Sequence, residues 1–376
     1  MMRDLFLVPN LKLEVLNIKN EGEVFALNSL CPCESPKNAK KFKDCHHLGG
    51  SSLSVKERGN IYTRVNLNKN PCYLCDLDTA SNHSIAKKDL KVYEKIYSFE
   101  ITPYERVWKP NFGASHTFRL NPNLYPSNST LFDLYCASHD DDFFTCVEKK
   151  NEFVNEQKQL HALMHRAVAH TFFSKRNDKQ MIQRVFNFDS HMDQITHFAH
   201  LVQHYKGCEC VIKAIELDYF HTSFKTKDFS RVKSLVFEVD CIVEFMGCGA
   251  VFSPWSLRGK RIQEVDSLNF FTFTIFSQNS KSYICISWLE GQEKYMQNFF
   301  EDFWEKTPTL EQIMQFAFKH IKNYAINHEW WDGLDFQDKS KITKWYNDFD
   351  IQKEALTKQT IFCFSKAYLK KIKDDR

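Results

Sequence analysis

The rhythm of apolar and polar positions changes several times along this chain of 376 residues. Residues 1–30 alternate weakly (Leu5-Phe6-Leu7-Val8, then Leu11, Leu13, Val15 and Leu16), which predicts a strand or two. Ile61 to Val65 predicts a short strand. His83 to Leu90 predicts a helix after a Thr79-Ala80-Ser81-Asn82 turn, and Ile96 to Ile101 a strand with aromatic content. Residues 103–130 are rich in Pro, Asn and Ser and predict an irregular connection. Helical spacing of Phe153, Leu160, Leu163, Met164 and Val168, then of Met181, Val185 and Phe186, then of Met192, Ile195, Phe198 and Leu201, predicts two helices over 150–206, with a break at Ser174–Asp178.

Beyond residue 230 the period shortens. Runs at 234–239, 241–245, 270–276 and 283–288 predict an antiparallel sheet over 231–290, with Gln278-Asn279-Ser280 as a hairpin turn. Helices return at Lys294 to Trp304 and at Leu310 to Ile326, the second capped at Thr309. Asn327 to Asp332 is a polar and aromatic cluster, either a latch on the sheet or a ligand rim. Lys366 to Arg376 is basic and predicts a frayed end. The fold class is α+β. Its expected parts are N-terminal strands with a Cys-rich motif (1–60), a zinc finger (61–150), a helical region (151–230) and an α+β domain (231–376).

Composition supports packed cores, since 43% of residues are hydrophobic and 15% aromatic, and the 11 Gly and 10 Pro argue against long flexible linkers. A net charge of +3 identifies no partner by itself, but Lys37, Lys40, Lys41, Lys43, Lys56, Arg58, Arg64 and Lys69 crowd one zone. That zone is the expected contact for DNA or RNA. There is no secretory leader and no apolar run of membrane-spanning length, so a cytoplasmic protein with no membrane partner is expected. Thirteen Cys in that compartment read as metal ligands or, for Cys241, Cys285 and Cys363, as core packing. No phosphate-cradling Gly loop, nucleophile elbow, dinucleotide fingerprint or internal repeat is present.

The chemistry concentrates between Cys72 and Asp140. Cys72/Cys75 and Cys136/His139 are two pairs with two residues between their members. That spacing lets a knuckle turn aim both side chains at one tetrahedral Zn²⁺, and two such pairs close a four-ligand structural site. Between them lies Asn82-His83, and Asp140 follows the last ligand directly. A second group, Cys31, Cys33, Cys45 and His46, offers four more soft ligands within sixteen residues; the competing reading is a reduced Cys-rich loop without metal.

The Cys72–Asp140 stretch resembles a treble-clef zinc finger and, more narrowly, an HNH endonuclease. The resemblance implies zinc ligands at Cys72, Cys75, Cys136 and His139, a general base at His83 and a Mg²⁺-binding carboxylate at Asp140. Asn82 stands where that family often has an acidic ligand, and sixty-one positions separate Cys75 from Cys136, long for the family. Cys31-Pro32-Cys33 with Cys45-His46 resembles the SEC-C motif, a zinc-binding accessory module, although eleven residues separate Cys33 from Cys45, a few more than usual. A looser likeness extends to uncharacterised bacterial proteins linked to phage defence, implying a protein partner in a defence complex.

Two further i,i+4 pairs, His161/His165 and His200/His204, can share a metal on a helix face; the competing reading is hydrogen-bonded His on amphipathic helices. Three classes of function follow: an HNH-like metal-dependent endonuclease, a non-catalytic zinc-finger module binding nucleic acid or protein, and a structural subunit of an assembly.

Overall fold

A computed structural model describes residues 72–75, 77–80, 82–98, 131–148, 152–188, 219–253, 255–262, 269–301, 308–321, 323–347 and 369–376. The expected strands of 1–65, the basic zone, the group Cys31, Cys33, Cys45 and His46, the 103–130 connection and the pair His200/His204 lie outside the described residues. The chain forms two compact units. One comprises Asn70–Glu100, Ala114–Thr171 and Glu216–Arg376, and the other Met1–Lys69, Ile101–Gly113 and Phe172–Ile215. The first holds everything discussed below except the part of α3 beyond Thr171.

In chain order the elements are β1 (Asn82–His83), α1 (Lys87–Leu90), β2 (Ile96–Ser98), β3 (Leu131–Phe132), α2 (Ala137–Phe144) and α3 (Gln157–Phe188). There follow α4 (Thr222–Thr226), β4 (Val232–Val239), β5 (Phe245–Val251), β6 (Phe271–Gln278), β7 (Lys281–Leu289) and α5 (Glu293–Phe300). Last come α6 (Leu310–His320), β8 (Tyr324–Asn327), α7 (His328–Gly333), α8 (Phe336–Asn347) and β9 (Leu369–Asp374). A seven-stranded sheet has the order β2-β8-β5-β6-β7-β4-β9, and every neighbouring pair is antiparallel. The fold is α+β, as the pattern predicts.

The centre of the sheet is covered on both faces, which explains why β6 is buried without interruption from Phe271 to Ser277, its threonines included. Phe271 and Phe273 pack against Phe299 of α5 and Phe316 of α6. Phe276, on the opposite face, meets Phe153 ahead of α3, and the Ala250 amide donates to Thr171 Oγ1 on α3. Each fully buried Phe in this stack contributes about 1.5–3 kcal/mol through burial. The β6–β7 hairpin turns at Asn279 and Ser280, both with positive φ (53° and 62°), so the expected turn is a two-residue loop matched to strand twist.

Several expectations are corrected. The break at Ser174–Asp178 does not exist: α3 runs through it, because polar residues do not end a helix without Gly or Pro. Cys241 to Glu244 is a connection, and β5 begins at Phe245. Its Gly247 and Gly249 weaken the strand signal, yet Gly247 is required: a Cβ there would lie 2.9 Å from both Asn323 O and Tyr324 Cβ. The helix starting at Leu310 has the expected Thr309 cap, completed by Gln312 as a capping box, but it ends at His320 and the chain re-enters the sheet as β8. His83 lies on a strand, and the following helix starts only at Lys87.

The basic C-terminus is not frayed. Leu369–Asp374 pairs with β4 as the sheet's edge strand, with a bulge opposite Val236/Phe237. Its lysines suit that place, since charge on an edge strand discourages pairing with other chains. Trp331 of the aromatic cluster is buried, and Trp330 lies nearly parallel to Phe318 of α6, the packing arrangement of a latch. No helix among the described residues is long and apolar enough to cross a membrane.

Candidate metal centre

The knuckle is a tight backbone turn: the Cys72 amide donates to Leu77 O (2.7 Å) and the Cys75 amide to Cys72 O (3.3 Å). Two strand-like bonds dock it on the segment preceding α2, from Tyr73 N to Leu134 O (2.9 Å) and from Ala80 N to Tyr135 O (2.8 Å). Beyond the knuckle, β1 pairs with β3, Asn82 opposite Phe132 and His83 opposite Leu131. The side chain of Asn82, only 1% exposed, adds a clamp: its Oδ1 accepts from Leu134 N (3.2 Å) and Tyr135 N (2.9 Å). These bonds close the long loop between the two ligand pairs, so sixty-one positions of separation do not keep Cys75 from Cys136.

Cys136 is the N-cap residue of α2, with extended backbone (φ −71°, ψ 164°), and His139 follows within the first turn. One helical turn therefore turns both side chains toward the knuckle. The four ligand atoms of Cys72, Cys75, Cys136 and His139 all lie within 4.8 Å of one another. His139 Nδ1 is 3.4 Å from Cys72 Sγ, 3.7 Å from Cys75 Sγ and 3.3 Å from Cys136 Sγ, and Cys75 Sγ is 3.8 Å from Cys136 Sγ. A tetrahedron with Zn–S near 2.3 Å and Zn–N near 2.0 Å has edges of about 3.8 Å (S to S) and about 3.5 Å (S to N). The separations match those edges and are far too long for a disulfide. The Cys3His set is compatible with a structural zinc, and its ligand is the Nδ1 of His139.

Electrostatics favour thiolate at Cys72. Burial pushes its thiol up, but hydrogen bonds from the backbone at Leu74 and Cys136, and from the His139 and Cys75 side chains, outweigh it and bring the pKa down to about 6.

Behind the ligands lies an aromatic packing layer. The His139 ring stacks on Phe143 (centroids 6.0 Å apart), and Phe143 packs edge-on against His165 and Phe224 (both 4.8 Å). His165 Nε2 lies 3.1 Å from the Tyr135 hydroxyl. His161 packs among Tyr219, Phe220 and Phe229, and burial, aided by His165, lowers its pKa to about 3. The His161/His165 pair is thus packing within an aromatic layer. Among the described residues, Cys72, Cys75, Cys136 and His139 form the one group of three or more ligands close enough to hold an ion.

Asp140 is half-buried in the first turn of α2. Burial raises its carboxyl to about 6, against Arg166 and with Glu148 and Asp141, while Asn82 draws it down. The His83 backbone sits opposite Leu131, and its side chain lies outside the described part of the chain.

Sequence reasoning missed the Asn82 clamp and the charges beneath it. Arg166, 2% exposed, donates from Nη2 to Glu148 (2.6 Å) and sets its guanidinium 4.5 Å from the Phe144 ring centroid. The signal available was an Arg inside the apolar stripe of α3, a place where a charge needs a partner.

No protein-family model matches the chain, and neither a curated protein nor a solved structure matches it.

Proposed function

We propose that Zn²⁺ at the Cys3His centre serves the fold, and that the chain acts as a zinc-finger binding module for nucleic acid rather than through chemistry at the zinc. The observation that carries the first half is the set of four ligand atoms within 4.8 Å. Four protein ligands fill a tetrahedral ion's coordination and leave no position for water or substrate, the mark of a structural site. The ion would join the knuckle to α2, two segments sixty-one positions apart along the chain. The nucleic-acid half rests on the sequence alone, on the lysines and arginines between Lys37 and Lys69.

A second reading, an HNH-like endonuclease, is favoured by the order of the elements: knuckle, two-stranded ladder, then a helix whose start supplies the last ligands. In it His83 is the general base and Asp140 holds Mg²⁺ against a phosphate. Asn82 weighs against that reading, because its carboxamide oxygen is committed to two backbone amides and not offered to a cation.

Metal content and binding separate the readings. Elemental analysis of untreated protein should give at least one Zn per chain, and Cys136→Ser should lose one equivalent. Binding to duplex DNA or to RNA should weaken steeply with salt. Mg²⁺-dependent cleavage abolished by His83→Ala and by Asp140→Asn, with zinc retained, would instead establish the enzyme. Protein free of zinc would sink both readings.

A further inference from the structure

The four ligands are unequally shielded. Cys72 and Cys136 are 5% and 4% exposed, whereas Cys75 is half-exposed beside Leu77, which is 62% exposed at the tip of the knuckle. The Cys75 sulfur lies 3.8 Å from that of Cys136, on the other side of the loop. Cys72 and Cys136 lie equally close to His139 Nδ1, at 3.4 and 3.3 Å; what separates them is their place, Cys72 on the same knuckle as Cys75 with its amide tied to Leu77, Cys136 across from it at the start of α2.

We propose that the metal centre is a peroxide-sensitive switch in which Cys75 is oxidised first and is captured by Cys136, so that a disulfide replaces the zinc as the link between the knuckle and α2. The inference rests on the zinc reading above. In the first step the Cys75 thiolate attacks one peroxide oxygen, the O–O bond breaks, hydroxide leaves and Cys75 becomes a sulfenic acid. In the second step the Cys136 thiolate attacks the Cys75 sulfur, the S–S bond forms and a second hydroxide leaves. The two sulfurs together lose two electrons and the peroxide gains two; both hydroxides take up protons to give water. Zn²⁺ is then left with Cys72 and His139 and departs.

The pairing has a structural consequence. A Cys75–Cys136 disulfide bridges the same two segments that the ion bridged, so the oxidised chain loses zinc while keeping its knuckle attached. A Cys72–Cys75 disulfide would instead stay within the knuckle and release it from α2. Only the former leaves the backbone bonds of Tyr73 to Leu134 and Ala80 to Tyr135 constrained.

The test uses the full zinc-loaded chain, titrated with hydrogen peroxide. Zinc release is followed with a chromogenic chelator, and non-reducing peptide mapping identifies the linkage. The expected result is release of one zinc equivalent in step with a Cys75–Cys136 linked peptide, both reversed by a dithiol plus Zn²⁺. Cys75→Ser should slow peroxide-driven release at least several-fold where that variant still holds zinc; where it does not, the wild-type map decides alone. A Cys72–Cys75 peptide, release without a disulfide, or zinc that survives peroxide would each overturn the switch while leaving the structural zinc standing. A starting protein whose zinc content is unchanged by Cys136→Ser would overturn both.

Discussion

The Tyr135 hydroxyl and His165 Nε2 lie 3.1 Å apart in a buried hydrogen bond that ties the residue preceding Cys136 to the first third of α3. Tyr135 is fully buried, and its backbone also accepts from Ala80 and donates to Asn82. The metal centre is therefore seated on α3 through one side chain, with Phe143 and Phe144 packed around the same imidazole. Tyr135→Phe keeps the ring and removes the hydroxyl. It should cost about 1–2 kcal/mol of stability, the usual cost of losing a buried bond, read as a lower denaturant midpoint with an unchanged slope. Zinc content should stay at the wild-type level, because no ligand is touched. An unchanged midpoint would show that the bond does not support the fold.

Asn82 offers a sharper contrast, since its carboxamide does different work in the two functional readings. As a clamp it satisfies two buried amides, and Asn82→Ala leaves both without a partner. The expected loss is about 2–4 kcal/mol, with zinc lost at lower chelator concentration than in the wild type. Asn82→Asp keeps an acceptor but sets a second carboxylate beside Asp140, whose carboxyl is already pushed up to about 6 by burial. That variant should be less stable than wild type at pH 8 and should recover toward it at pH 5, where the pair can hold a proton. An Asn82→Asp protein that gains Mg²⁺-dependent nuclease activity would reverse the assignment and make position 82 a cation ligand.

What the sequence disclosed follows from how local each signal is. The four ligands were legible because two-residue spacing is a property of neighbours, and Thr309 announced α6 because a cap is fixed within one turn. The hairpin at Asn279-Ser280 was legible for the same reason. Asn82 was not, because its value lies in two amides more than fifty positions away. The edge strand β9 was hidden by its lysines, which look like a solvated tail until β4 is beside them. β8 was hidden because Tyr324 to Ile326 continues the apolar spacing of α6, and only the exit at Ile321 separates helix from strand.

Gly247 tests the close approach of β5 and β8. Its neighbours across the pair are backbone and Cβ atoms, which have no flexible end to swing aside. Gly247→Ala should therefore push the strands apart locally and destabilise by about 1–3 kcal/mol, despite the better strand propensity of Ala. Gly249→Ala is the internal control: its added methyl would meet only Ile321 side-chain carbons at 3.7 and 3.8 Å, ordinary contact distances. It should change stability by less than about 1 kcal/mol in either direction. Thermal denaturation of the two variants side by side checks the ordering, and equal effects would contradict the packing described.

Asp89, on α1 and 6% exposed, makes the fold sensitive to pH independently of the zinc ligands. Burial raises its carboxyl to about 7 from an ordinary 3.8, while Lys88 and Arg166 pull it down and Glu148 pushes it further up. A group whose pKa is raised on folding holds its proton more tightly in the native state. Its contribution is fully present below pH of about 4, falls as pH rises and is gone above about 7. Asp89→Asn mimics the protonated acid at every pH. Relative to wild type it should therefore gain stability between pH 5 and pH 8, by on the order of 2 kcal/mol, and show little difference in the acid limit. Taking the difference between the two proteins removes the pH dependence of zinc binding, which both share. Denaturant midpoints measured at the two pH values check the sign. A constant offset would mean that Asp89 is ionised in the native state throughout, paired with Arg166 strongly enough to cancel its burial.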